Sequence, residues 1–114
     1  MPDADTVRRI ALSLPEVTEG PCYGTPGWRV KKMLICRLLN DPEHFVVKVD
    51  LGEREALTQT EPGTFFITPH YENYPMVIVN LPTVDEAELG ELITEAWRRC
   101  ATKRLREAFD EADG

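Results

Sequence analysis

The sequence predicts an α+β domain of two layers, an antiparallel sheet with helices packed on one of its faces. Short runs rich in β-branched and aromatic residues, separated by turn signals, are grouped in the middle of the chain. Amphipathic helical patterns flank them. At 114 residues the chain can build one hydrophobic core and is too short for two ordinary domains, so residues 1–114 read as a single domain with 110–114 as a solvated tail.

The elements follow in order. After Asp3 or Asp5 as N-cap, Val7, Ile10, Ala11 and Leu14 recur at helical spacing until Pro15 stops the pattern. Strands are expected near 17–23, 28–31, 33–39 and 45–50, with turns at "GTPG" and "NDPE". The second and third form one bent strand or a tight hairpin through Lys31 and Lys32. "LGEREALTQT", residues 51–60, reads as a short helix. "FFITPHYENYPMVIVNLP" reads as a short strand, an irregular loop and a strand over 76–81. From Asp85 a long helix carries Leu89, Leu92, Ile93, Ala96, Trp97, Cys100, Ala101, Leu105, Ala108 and Phe109 on one stripe, with a break expected near Thr102.

Alternation sorts the faces. Leu34, Cys36 and Leu38 share one side of their strand and Met33, Ile35, Arg37 and Leu39 the other; Phe45, Val47 and Val49 oppose Val46, Lys48 and Asp50. Arg29, Lys31, Arg37 and Lys48 are thereby expected on the less buried face.

Composition narrows the function classes. The longest apolar runs, "MLIC" and "MVIV", are far shorter than a membrane span, and acids stand where a signal peptide carries bases, so a cytoplasmic protein is expected. Cys22, Cys36 and Cys100 are odd in number and widely spaced, which suggests neither a disulfide framework nor a zinc cage. No nucleophile elbow, zinc-protease, P-loop or dinucleotide motif occurs, and two histidines with scattered carboxylates lack metal-ligand spacing. The expectation is no catalytic residue, no metal and no cofactor. His44, after "NDPE", reads as an exposed turn residue.

The order "ALSLPEV", "YGTPGWRVKKMLICRL", "FVVKVD", "EPGTFFITPHYENYPMVIVNL" and "DEAELGELITEAWRRCATKRL" resembles the MmcQ/YjbR family of small bacterial proteins over nearly the whole chain. The resemblance implies an α+β domain with a double-wing, DNA-binding-like arrangement. By position, the family's lysine after its first hairpin falls at Lys32 and the lysine closing the next strand at Lys48. Lys31 and Leu34 stand where the family carries glycine and phenylalanine, which makes this hairpin more basic.

Three candidate surfaces emerge. The hairpin "RVKKMLICR" carries Arg29, Lys31, Lys32 and Arg37 without an acid, and with Lys48 nearby it could neutralise phosphates, giving weak, salt-sensitive DNA binding despite a net charge of -7. Edge strands also carry bases to discourage aggregation. "WRRCATKRLR" reads mainly as the basic end of a helix opened by five acids, matched to the helix dipole and paired at helical spacing (Glu95 with Arg98 and Arg99, Lys103 and Arg104 with Glu107, Arg106 with Asp110). It leaves Arg98, Arg99 and Lys103 as a secondary rim. The loop around His70, Tyr71 and Tyr74 is the alternative, a site for a small molecule or a protein partner, or else a structural turn bracketed by Pro69 and Pro75.

Overall fold

The computed structural model describes residues 2–113. Helix α1 (Ala4–Leu12) is capped reciprocally at Asp3: its carboxylate accepts from the Thr6 N–H, and the Thr6 hydroxyl accepts from the Asp3 N–H. Aspartate caps two more helices. Asp50 accepts from the Glu53 N–H at 2.7 Å to start α2 (Leu51–Thr60), and Asp85 accepts from Ala87 and Glu88 to start α3 (Glu86–Cys100).

Between these helices lie six strands: β1 (Thr18–Cys22), β2 (Thr25–Val30), β3 (Met33–Leu38), β4 (His44–Lys48), β5 (Phe65–Phe66) and β6 (Met76–Asn80). They form one antiparallel sheet in the order β1-β2-β3-β4-β6-β5. Two connections are two-residue turns with both central residues in the left-handed region, Tyr23 (φ 53) with Gly24 (φ 83), and Lys31 (φ 50) with Lys32 (φ 70). This is the backbone pattern whose twist matches a right-handed strand pair. The tight hairpin is therefore realised at Lys31 and Lys32. The other turn differs from expectation: "GTPG" is not a turn, because Tyr23 and Gly24 already reverse the chain and Thr25, Pro26 and Gly27 belong to β2.

Strand β3 departs from strict alternation. Trp28 pairs with Cys36 and Arg29 with Leu34, so Ile35 is an extra residue on β3. The bulge flips the phase: Ile35 and Cys36 both enter the core, while Leu34 joins Arg37 on the opposite face. The expected grouping of Leu34 with Cys36 and Leu38 fails here for that reason. On β4 the expected alternation holds, with Phe45 and Val47 in the core and Val46 outside it.

The main core lies between the sheet and the helices, with Trp28, Phe45, Phe65, Ile93 and Trp97 fully buried. The Trp97 indole donates to the Pro15 carbonyl at 3.0 Å, which ties α3 to the turn after α1. The long C-terminal pattern breaks as expected near Thr102. Ala101 turns extended, and the Thr102 hydroxyl accepts from the Leu105 N–H to cap α4 (Lys103–Asp113). Residues 110–113, expected as a solvated tail, continue α4, with 110–112 exposed and Asp110 accepting from Arg98 at 2.6 Å; residue 114 lies outside the described residues. Among the described residues no helix is long and apolar enough to cross a membrane.

Candidate functional site

The second face of the sheet carries a smaller apolar cluster of Val46, Met76 and Ile78, with Leu34, Leu39, Phe66 and Tyr71 packed on it, to which no α-helix among the described residues contributes. Into this face opens a cleft of about 310 Å³, lined by Leu34, Arg37, Val46, Lys48 and Met76 from the strands and by Tyr23, His70, Tyr71, Tyr74 and Pro75 from the flanking turns. No aspartate or glutamate is among them. The two surfaces that the sequence keeps apart, Arg37 with Lys48 and His70 with Tyr71 and Tyr74, thus meet in one concavity.

Arg37 is the unusual group. It is only 9% exposed, yet no carboxylate of the described residues pairs with it. Its Nη1 donates to the Tyr71 hydroxyl at 3.1 Å and its Nη2 to the Thr25 hydroxyl at 3.2 Å, while its buried Nε–H has no partner among the described residues. The Tyr23 ring lies 5.4 Å from the guanidinium carbon, within cation–π range. Burying a charge without a counter-charge is costly. Gly27 faces Arg37 across the β2–β3 ladder, and a Cβ there would come within 2.9 Å of the Cys22 Cβ and 3.3 Å of Leu34 Cδ1, so only glycine permits this packing.

The wall over 69–75 is held from outside the sheet. A single 3₁₀ turn, Pro69–Tyr71, starts it. Arg54 of α2 then donates to four carbonyls of the segment that follows: through Nη1 to Tyr74 at 2.8 Å, Tyr71 at 3.0 Å and Met76 at 3.5 Å, and through Nη2 to Glu72 at 3.1 Å. The His70 ring packs edge-on against Tyr71, centroids 4.7 Å apart.

The remaining sequence candidates lie elsewhere. Arg29 shares the open face but donates to the Pro21 carbonyl at the β1 side. Lys31, expected on that face, instead occupies the turn and pairs with Glu16 at 3.0 Å, on the side of the helix layer. Lys32 is exposed at the same turn. In the C-terminal run, Arg98 bridges to Asp110 and Glu95, Arg99 to Asp50 and Glu53, and Lys103 to Glu107. The pairings expected of Arg99 and Arg106 change: Arg99 turns from Glu95 to Asp50 and Glu53 of the neighbouring helix start, and Arg106 donates to the Ala101 carbonyl at 2.7 Å while Asp110 bonds Arg98. These three bases belong to helices packed on the core side of the sheet.

His44 is no exposed turn residue; it opens β4, with Nδ1 2.7 Å from the Asp41 carboxylate and its ring edge-on to Phe66. The Glu43 backbone N–H and then His44 hold Asp41 below the usual carboxylate range. Burial pushes the Cys36 thiol far up, and it raises Cys100 against the charges of Lys48 and Arg99, so neither is poised as a thiolate. Among the described residues no group of three His, Cys, Asp or Glu is placed to hold a metal ion.

Several members of the site escaped the sequence reading, Tyr23, Arg54 and Leu34 among them. Tyr23 could have been found from the Tyr-Gly pair before "TP", a two-residue turn signal. Arg54 is the lone base in an otherwise acidic helix. Leu34 was assigned to the wrong face because alternation carries no mark of a bulge.

Comparison with known proteins gives three kinds of match. The family model described as YjbR matches residues 12–99. The proteins named uncharacterised protein Rv2570 of Mycobacterium tuberculosis and uncharacterised protein Mb2600 of Mycobacterium bovis are each 48% identical over 60 residues, covering 53% of this chain and 46% of the relative. The match thus spans about half the length of these relatives. The crystal structure of the Deinococcus radiodurans protein DR2400, with family-model domain DUF419, is similar at a TM-score of 0.77 and 26% identity, over 95% of this chain and 88% of that one.

Proposed function

The chain belongs to the YjbR family, and on that fold we propose that it is a binding module, not an enzyme, that takes a small anionic ligand in the cleft on the open face of its sheet. One observation carries this reading: a guanidinium, Arg37, nine-tenths buried without a carboxylate partner among the described residues, at an aromatic-walled cleft whose lining contains no acid. A bound anion would supply the missing counter-charge. The Tyr71 hydroxyl accepts from Arg37, which leaves its own proton to donate, and the Lys48 side chain lines the cleft while its ammonium lies beside the Cys100 thiol. Leu34, Val46 and Met76 would meet the apolar part of the ligand.

A second reading, DNA binding with a double-wing arrangement, draws support from Lys32 at the tip of the β2–β3 hairpin, exposed and on the same end of the sheet as Lys48. The ion pair of Lys31 with Glu16 and the burial of Arg37 count against two of its expected phosphate contacts. Two-dimensional amide NMR separates the readings. Titration with small carboxylates and phosphates should shift residues 34–37, 46–48 and 70–76, and Arg37→Gln should abolish those shifts. Silence towards every small anion, together with salt-sensitive duplex binding that moves residues 29–32, would replace the first reading by the second.

A further inference from the structure

Resting on the anion-binding reading, we propose that the ligand is an aryl carboxylate, one or two fused aromatic rings bearing a single carboxylate. Two features of the cleft select the carboxylate and two select the ring.

The donor set is small and flat. Arg37 is held by Thr25 on Nη2 and Tyr71 on Nη1 and its Nε is buried, so the donors left for a ligand are one N–H on each terminal nitrogen, as many as the two coplanar oxygens of a carboxylate take. A phosphoryl group offers more oxygens and calls for more donors, commonly a nest of backbone amides. The floor of this cleft is strand backbone committed to the ladder, and in its wall the N–H groups of Tyr71, Glu72 and Tyr74 bond to the carbonyls of Thr68, Pro69 and Tyr71.

The ring is indicated by where the exposed aromatics stand. Tyr23 is 89% exposed and Tyr74 is 55% exposed, and both line this one cleft. They approach from opposite sides, Tyr23 from the turn beside β2 and Tyr74 from the segment that enters β6, with β3 and β4 as the floor between. Tyr23 also holds a left-handed backbone, at a turn position that favours Asn or Gly. A large aromatic at φ 53, with almost none of its surface covered, gains nothing from the core. Among the described residues its ring meets the Arg37 guanidinium. Strain kept at such a position points to a ligand-facing role. The volume, about 310 Å³, sits at the lower end of small-molecule sites, which run from about 300 to 1,000 Å³, and so limits the occupant to one or two rings.

The test is calorimetric titration of the protein with 1-naphthoate, benzoate, cyclohexanecarboxylate, phenyl phosphate and naphthalene-1-methanol. The two aryl carboxylates should bind, with cyclohexanecarboxylate and phenyl phosphate about tenfold weaker and the neutral alcohol weaker still. Tyr23→Ala, a change at an exposed turn, should cost 1-naphthoate about tenfold and leave cyclohexanecarboxylate unchanged. Arg37→Lys, checked for folding by its melting curve, should weaken every carboxylate. Equal binding of the saturated ring, a preference for phenyl phosphate, or indifference to Tyr23→Ala overturns the aryl-carboxylate assignment and leaves anion binding standing. Binding of none of the anions, or binding of the alcohol as tightly as 1-naphthoate, overturns both.

Discussion

Removing Arg54 should unfasten one wall of the cleft. Its guanidinium gathers the carbonyls of Tyr71, Glu72 and Tyr74 at 2.8 to 3.1 Å, with Met76 at the outer limit of 3.5 Å. Three good charge-assisted bonds could contribute as much as about 2 kcal/mol each, but Glu72 and Tyr74 are exposed and their carbonyls would rehydrate, which halves the figure. Arg54→Ala should therefore cost about 3 kcal/mol, or roughly 12 °C in melting temperature for a domain of this size. Arg54→Lys keeps the charge but has no planar fork to reach several carbonyls at once, and should recover no more than about half. Thermal melts read the stability, and amide exchange at residues 71–76 locates it, since opening should spread from that segment before the sheet. An alanine variant within about 1 kcal/mol of the parent, or a lysine variant equal to it, would refute the idea that these four contacts hold the wall.

Two further predictions concern other parts of the chain. Lys32→Gly relieves a left-handed lysine at the hairpin tip and should raise stability by about 0.5–1 kcal/mol in denaturant melts, whereas Lys32→Val should lower it; a loss of DNA affinity in the stabilised glycine variant would favour the nucleic-acid reading. Glu88 has its carboxyl pushed up by burial, and further by the charge of Glu61 and a hydrogen bond with it. A folded-state value above the unfolded one makes the ionised form destabilising, so Glu88→Gln should raise the melting temperature slightly at pH 7, by less than about 1 kcal/mol in stability, and the advantage should vanish as the pH falls towards about 4; a gain that persists at pH 4 would refute the electrostatic cause.

The elements were legible because each is announced locally. Asp50 and Asp85 stand before their helices, Pro15 ends the first pattern, and the run of Leu89, Leu92, Ile93, Ala96 and Trp97 can only be a helix buried along one stripe. The site was legible in pieces. Arg37, Lys48, His70, Tyr71 and Tyr74 were each singled out, but 34 residues separate Arg37 from Tyr71, and nothing in local chemistry says that a hydroxyl so distant will accept from that guanidinium. Charge counting is equally blind to partners. It gave Lys31 and Arg37 equal weight as bases in an acid-free run, whereas the fold hands Lys31 to Glu16 across 15 positions and buries Arg37. Pairing of this kind depends on packing between layers, which periodicity cannot see.

The extra residue at Ile35 also governs how this protein can change by insertion and deletion. Loss of Ile35 itself would remove the bulge and leave Arg29 opposite Leu34 and Trp28 opposite Cys36 in an unbroken ladder, with Leu34 and Arg37 still on the cleft face. Its cost would be the volume that this fully buried side chain vacates in the core. A residue lost from β3 outside the bulge would instead exchange the faces of everything between it and the hairpin, so comparisons among relatives that place a gap there amount to comparisons between different cleft floors.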